Sequence, residues 1–212
     1  MSKIKAIIFD MDGVLIDARD WHYEALNRAL GLFGFKISEE SHLSSFDGLP
    51  TKKKLQMLSK MSGLPERLHT LINDLKQIYT RELAVQFCKP TFVHRHVLTT
   101  LKDEGFVLAV CSNSIQSSVE LMLTNAGIVN FFEFYLSNED VRAAKPNPEI
   151  YKKAIEQLGV SPSETLIIED NEHGVQAATE SGAHVLRVSD PEQVCYQNIY
   201  AKLESIQLQG KF

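Results

Sequence analysis

The sequence predicts an α/β fold, a Rossmann-like parallel sheet flanked by helices and interrupted after its first strand by an inserted all-helical segment. Three observations predict it. Short continuous apolar runs recur along the chain, as strands buried on both faces require. Helix-like stretches separate most of those runs, the rhythm of a doubly wound sheet. From Asp17 to Phe87 the strand-like runs vanish while helical spacing persists.

The first run, Ile4 to Phe9, leads directly into Asp10 and Asp12. A helical stretch from Phe92 to Glu104 carries Val93, Val97, Leu98 and Leu101 before Gly105, and the second run, Phe106 to Cys111, follows. Ser117 to Asn125 reads as a short amphipathic helix with Gly127 beyond it. Pro148 suits the first turn of a helix through Leu158, and Gly159 suits its end. Thr165 to Ile168 is the third run, and Ala183 to Val188 the fourth, after a helix and Gly182. Asp190 to Phe212 reads as one peripheral helix with a fraying end.

Within the insert, Tyr23, Leu26 and Leu30 share one helical face, Leu55, Leu58 and Met61 a second, and Leu68, Leu71, Leu75 and Ile78 a third. A segment of this size is too long for a crossover loop. The expected organisation is therefore a catalytic core of residues 1–16 and 88–212, with a helical cap domain of residues 17–87.

Composition narrows the function. An apolar share of 44% and a charged share of 23% are ordinary for a globular chain. A net charge of -5 with no basic stripe argues against a nucleic-acid polymer as partner. The run Lys52-Lys53-Lys54 is too short for a binding tail and reads as solvated helix surface. No secretory signal and no run of membrane-spanning length is present. Cys88, Cys111 and Cys195 are widely spaced, which excludes a close-paired zinc motif. Cys111 reads as a small buried hydrophobe, and the chain as cytoplasmic. No segment announces an interface, so a monomer or weak dimer is expected.

The polar residues that carry chemistry follow the runs. Asp10 and Asp12 come after the first, Ser112, Asn113 and Ser114 after the second, and Glu169 and Asp170 after the third. Lys145 falls in the loop between the second and third. In open α/β sheets the carboxyl ends of the strands border one crevice, so these groups are expected to meet. Several carboxylates cannot share a site while ionised without a compensating cation. Oxygen donors without a cysteine or histidine cluster select a hard ion, magnesium before calcium. Each residue alone has a plainer reading: Asp10 or Glu169 as a helix cap, Lys145 as a surface lysine. Four complementary groups at strand ends outweigh it. An aspartate in such a site can act as nucleophile toward phosphorus.

These residues resemble the haloacid dehalogenase superfamily, in the branch with a helical cap after the first strand that includes β-phosphoglucomutase and small-metabolite phosphatases. The resemblance runs from Lys5 to about Asp190 and rests on Phe9-Asp10-Met11-Asp12-Gly13-Val14-Leu15, Ser112-Asn113, Lys145-Pro146 and Glu169-Asp170 with Gly174. It implies that Asp10 attacks phosphorus and that Asp12 protonates the leaving oxygen and then deprotonates water. It implies that Mg2+ is held by Asp10, the Asp12 main-chain carbonyl and Asp170, with Glu169 coordinating or ordering a bound water. Ser112 and Lys145 would hold the phosphoryl group, with Asn113 close by.

Dehalogenases of the superfamily lack the second acid, so Asp12 directs the expectation toward phosphate esters. The expected activity is hydrolysis of a small phosphorylated metabolite, a sugar, polyol or nucleotide phosphate. A sugar phosphomutase and a non-catalytic binding protein are the alternatives. Arg19, His22, Lys52 and Lys76 are the cap candidates, with helix packing or solvation as the plainer reading for each. Mutase-like members carry a basic residue shortly after the equivalent of Gly48; here Leu49-Pro50-Thr51 follows, and only Lys52 or Lys53 stands nearby. Asn171 stands where serine is common in the family.

Overall fold

A computed structural model of the chain describes residues 4–46 and 48–209. The ends of the two core segments, 1–3 and 210–212, lie outside the described residues, as does the fraying tail. The middle of the fold is β1 (Ala6–Phe9), every residue of which is buried. Its side chains alternate: Ile7 and Phe9 enter one apolar cluster, Ile8 the other. A strand packed on both faces has no polar positions to alternate with, which is why its sequence is a plain apolar run.

β2 (Val107–Cys111) and β4 (Thr165–Glu169) flank β1 in parallel, with Phe9 level with Val110 on one side and Ile168 on the other. β3 (Tyr135–Leu136) and β5 (His184–Arg187) form the edges, giving the order β3-β2-β1-β4-β5. β3 was not expected. Two residues offer no periodicity, and the strand exists by pairing Val110 with Tyr135 and Cys111 with Leu136. The chain winds outward through β2 and β3, then crosses to β4 on the other side of β1, placing a topological switch beside the end of β1.

Helices α1 (Arg19–Gly31), α2 (Glu39–Ser41), α3 (Thr51–Ser62) and α4 (His69–Phe87) occupy the insert between β1 and β2. Their own apolar cluster includes Leu26, Leu30, Phe46, Leu55, Leu58 and Ile72. The faces expected from α1 and α3 are used, except that Met61 is exposed. The expected face of the third group is used only in part. Leu68 and Leu75 pack half-buried against this cluster, but Leu71 and Ile78 are exposed, and α4 buries most deeply Ile72, Lys76, Thr80, Leu83 and Ala84. Apolar spacing misses part of the buried side because that side carries polar groups.

The sheet is covered by α5 (Phe92–Asp103), α6 (Gln116–Asn125), α7 (Glu149–Leu158), α8 (Glu172–Glu180) and α9 (Tyr196–Gln209). Pro148 is the N-cap of α7 rather than a residue of its first turn, and Gly159 closes the helix at φ 67°. Among the described residues no helix is long and apolar enough to cross a membrane.

Candidate active site

The crevice at the carboxyl end of the sheet gathers residues from four loops. Asp10 extends β1, its N–H donating to Ile168 O at 2.9 Å, so its carboxyl group starts at the level where β4 ends. The next turn is tight: Met11 O accepts from the N–H groups of Leu15 and Ile16 at 2.9 Å each, and Gly13 adopts φ 87°. A Cβ at Gly13 would lie 2.1 Å from Asp170 Oδ2, so glycine here answers both the backbone conformation and the close approach of β4. Met11 is fully buried beneath the turn, between the two aspartates that line the cavity.

Lys145 is the charge centre of the core side. Its Nζ donates to Asp10 Oδ1 at 2.5 Å, Glu169 Oε1 at 2.7 Å and Cys111 O at 2.8 Å. All three N–H groups of the ammonium are thereby committed. Burial opposes its charge, yet the Asp10 and Glu169 carboxylates outweigh burial and hold its pKa above the ordinary lysine range. Tyr151, reaching from α7, donates its hydroxyl to Glu169 Oε1 and places its ring 4.7 Å from Lys145 Nζ. Burial and then the Glu169 charge push the Tyr151 pKa well up, so that hydroxyl stays protonated.

One ammonium divided between two carboxylates does not satisfy both. The Asp10 pKa stands well above its ordinary value, raised by burial against the counter-effect of Lys145, and further by Glu169, Asp170 and Asp12. Asp10, Glu169 and Asp170 can each bring one oxygen within 4.8 Å of the others, a donor set that fits a divalent cation. The hard oxygen donors and the excess negative charge at Asp10 agree with that assignment. Arg19 Nη2 lies 3.3 Å from Asp170 Oδ2 and supplies part of the compensation from the insert.

Asp12 has a different environment. Its Oδ1 lies 3.0 Å from His22 Nε2, and its Oδ2 accepts from Ser114 Oγ at 2.8 Å and Ser112 Oγ at 3.5 Å. Burial opposes its ionisation, but His22, Ser114 and Lys76 together hold its pKa below the ordinary value. Lys76 Nζ lies 3.1 Å from His22 Nδ1. An ammonium only donates, so Nδ1 accepts and the proton of a neutral imidazole sits on Nε2, donating to Asp12. Burial and the charge of Lys76 lower the His22 pKa, consistent with that neutral form.

The remaining predicted residues separate into two groups. Asn113 spends its side chain on backbone: Nδ2 donates to Gly48 O at 3.0 Å and Lys145 O at 3.3 Å, and Oδ1 accepts from Lys145 N–H at 3.0 Å. Lys52 and Lys53 are exposed at the rim, whereas Lys54 is only 7% exposed, so the run is not uniformly solvated surface. Arg19, His22, Lys52 and Lys76 all line one cavity of about 1040 Å³ with Asp10, Asp12 and Lys145. Sequence reasoning missed the part of Tyr151 and the bond from Ser114 to Asp12. A tyrosine one residue from Ile150 and three from Ala154 on a buried helical face was the available signal, since a buried phenol needs a partner.

A family model described as haloacid dehalogenase-like hydrolase matches residues 7–188. A phosphorylated carbohydrates phosphatase of Thermotoga maritima is 28% identical over 181 residues, spanning 84% of this chain and 82% of that protein. A haloacid dehalogenase-like hydrolase domain-containing protein of Arabidopsis thaliana is 31% identical over 212 residues, covering 86% of this chain and 67% of its own length. Among solved structures, a β-phosphoglucomutase of Clostridium difficile superposes with a TM-score of 0.84 at 22% identity, covering 97% of this chain and 99% of that one.

Proposed function

The chain belongs to the haloacid dehalogenase-like hydrolase family, and from that premise we propose that it is a magnesium-dependent phosphomonoester hydrolase of small phosphorylated metabolites, working through an aspartyl-phosphate on Asp10. The observation that carries the reading is the convergence of Asp10, Lys145, Glu169 and Asp170 at one buried point beside Asp12. Residues 17–87 form the cap in this reading, over a core of 1–16 and 88–212.

Asp10 supplies the carboxylate oxygen that bonds to phosphorus as the ester P–O bond breaks. Asp12 gives a proton to the leaving oxygen. In the second half, Asp12 takes a proton from water as the water oxygen bonds to phosphorus and the bond to Asp10 breaks. The low pKa of Asp12 suits the base half; a dianionic phosphate beside it raises that pKa and suits the acid half. Ser112 and Lys145 hold phosphoryl oxygens, Lys145 by turning to the phosphoryl group the N–H that it otherwise gives Asp10, and Asn113 fixes the Lys145 loop. Magnesium, held by Asp10, Asp170, the Asp12 carbonyl and, directly or through water, Glu169, supplies charge stabilisation to the phosphoryl oxygens when bound. The insert covers the crevice and excludes bulk water.

Hydrolysis is favoured over phosphoryl migration by the phosphatase names of several relatives, including a probable phosphatase of Dickeya dadantii and a pyrophosphatase of Anoxybacillus flavithermus. Three free cysteines accord with a cytoplasmic setting. The test is a panel of phosphorylated sugars, polyols and nucleotides with magnesium, following both inorganic phosphate and isomerised sugar phosphate. The expected outcome is phosphate release that Asp10→Asn lowers by about a thousandfold or more. Isomerisation dependent on a catalytic bisphosphate would replace the reading with a mutase, and silence across the panel with magnesium bound would replace it with a binding protein.

A further inference from the structure

Helix α4 turns an apolar stripe outward. Leu71, Ile78 and Val85 are 48%, 52% and 56% exposed, and they recur at intervals of seven residues. Seven residues fall about 20° short of two full turns, so the three side chains form one line along the helix. That line lies opposite Ile72, Lys76 and Leu83, which the helix buries. Aligned aliphatic side chains on an outer helix face make a seam, not scattered surface residues. We propose that this seam pairs with the same seam of a second copy of the chain, α4 against α4 and antiparallel, about a two-fold axis beside Ile78.

The charges beside the seam name its occupant. Asp74 and Arg81 are both exposed and share one flank of it, the first four residues before Ile78 and the second three after. Antiparallel two-fold pairing exchanges positions across the axis. Leu71 of one copy then meets Val85 of the other, and Asp74 of one meets Arg81 of the other, twice over. Among the described residues neither Asp74 nor Arg81 takes part in an ion pair within the chain. On the opposite flank Glu82 is bound to Arg28 at 3.1 Å. The same exchange sets Glu82 against Leu75, so no two carboxylates meet. Parallel pairing would instead set Asp74 against Leu75 and leave it unmatched. One charge of each sign on a flank suits a copy of itself, not a uniformly acidic or basic partner.

Pairing leaves the active site open. The residues that α4 gives the cavity include Asn73, Lys76 and Gln77, and none of these belongs to the seam. A helix of 19 residues spans about 28 Å. One such pair buries less than the roughly 1,200 Å² at which standard interfaces begin, so the dimer is a weak one, with a Kd of about 10–100 µM. It does not depend on what the core hydrolyses.

Sedimentation equilibrium of the full chain from about 2 to about 500 µM tests this. The apparent mass is expected to climb from that of one chain toward that of two. Ile78→Glu brings two carboxylates together at the axis and is expected to keep the chain monomeric throughout. Asp74→Arg and Arg81→Asp are each expected to weaken association by about tenfold, and the double reversal to restore it to within about threefold of wild type. Should one of these variants not fold, cross-linking decides. An equimolar mixture of Leu71→Cys and Val85→Cys, each in a Cys195→Ser background, is expected to oxidise to the mixed disulfide in preference to either homodimer. A wild-type chain monomeric at the highest concentration would overturn the pairing, as would association untouched by Ile78→Glu. So would a double reversal no stronger than the single ones, or Leu71→Cys homodimers in place of the mixed species.

Discussion

Lys76 of α4 donates to His22 of α1 across 3.1 Å, and the far nitrogen of that imidazole lies 3.0 Å from Asp12 Oδ1. A residue of the insert thus sets the tautomer of a second residue, which in turn holds Asp12, the proposed acid–base group of the core. Removing the imidazole leaves burial as the dominant influence on Asp12 and raises its pKa. His22→Ala is therefore expected to move the alkaline limb of the kcat/KM profile, where Asp12 loses the proton it gives to the leaving oxygen, to higher pH and to lower the plateau by about 10- to 100-fold. A reduced plateau with an unmoved limb would make His22 a packing residue only.

Lys76 also has a thermodynamic signature. Its folded pKa of about 8 lies below the ordinary lysine value of 10.5. Between those values the unfolded chain binds the proton and the folded chain does not, so this residue makes stability rise with pH across that window. Below pH 8 the buried charge is at its most costly. Lys76→Met is expected to stabilise the protein at neutral pH by about 1–3 kcal/mol and to flatten the rise between pH 8 and 10.5, while lowering activity. Chemical denaturation across that range reads both effects; loss of stability at pH 7 would contradict the electrostatic account.

The core site was legible because β1, β2 and β4 are continuous apolar runs in parallel register, which places the residues after Phe9, Cys111 and Glu169 side by side. The cap was legible only as helices. Periodicity selects apolar positions, and α4 turns Leu71, Ile78 and Val85 to solvent while burying Lys76 and Thr80. A polar residue on a buried functional face carries no periodic signal, so the partners of His22 emerge only when α1 and α4 pack. The same holds for Lys54, which the rotation of α3 within a single turn brings to a buried position while its neighbours Lys52 and Lys53 stay exposed.

Gly174 explains how Glu169 can be fully buried. A Cβ on Gly174 would stand 2.1 Å from both carboxylate oxygens of Glu169, which Lys145 and Tyr151 hold from the other side. Alanine gains about 1 kcal/mol of helix propensity in α8, but displacing a packed, bonded carboxylate costs about 1–3 kcal/mol or more. Gly174→Ala is expected to lower Tm and to weaken magnesium binding through the shifted Glu169. An unchanged magnesium titration would show that Glu169 has no part in holding the ion.

Asn113 joins two things that catalysis needs together, the Lys145 loop and the cap. Its Nδ2 reaches Gly48 O in the insert and Lys145 O in the core, while its Oδ1 takes the Lys145 N–H. Gly48, at φ 70°, also lies where a Cβ would come within 2.8 Å of Asn171 Oδ1. Two substitutions divide these functions. Gly48→Ala strains the cap contact, through its left-handed backbone and its approach to Asn171, but leaves both side-chain bonds between Asn113 and the Lys145 backbone in place, so KM is expected to rise with kcat reduced less than about threefold. Asn113→Ala releases the cap and also leaves the Lys145 backbone without its side-chain partner, worth about 1 kcal/mol per bond. It is expected to raise KM and lower kcat together, by about tenfold or more in kcat/KM. Equal kcat for the two variants would show that Asn113 serves closure alone and that Lys145 keeps its place without it.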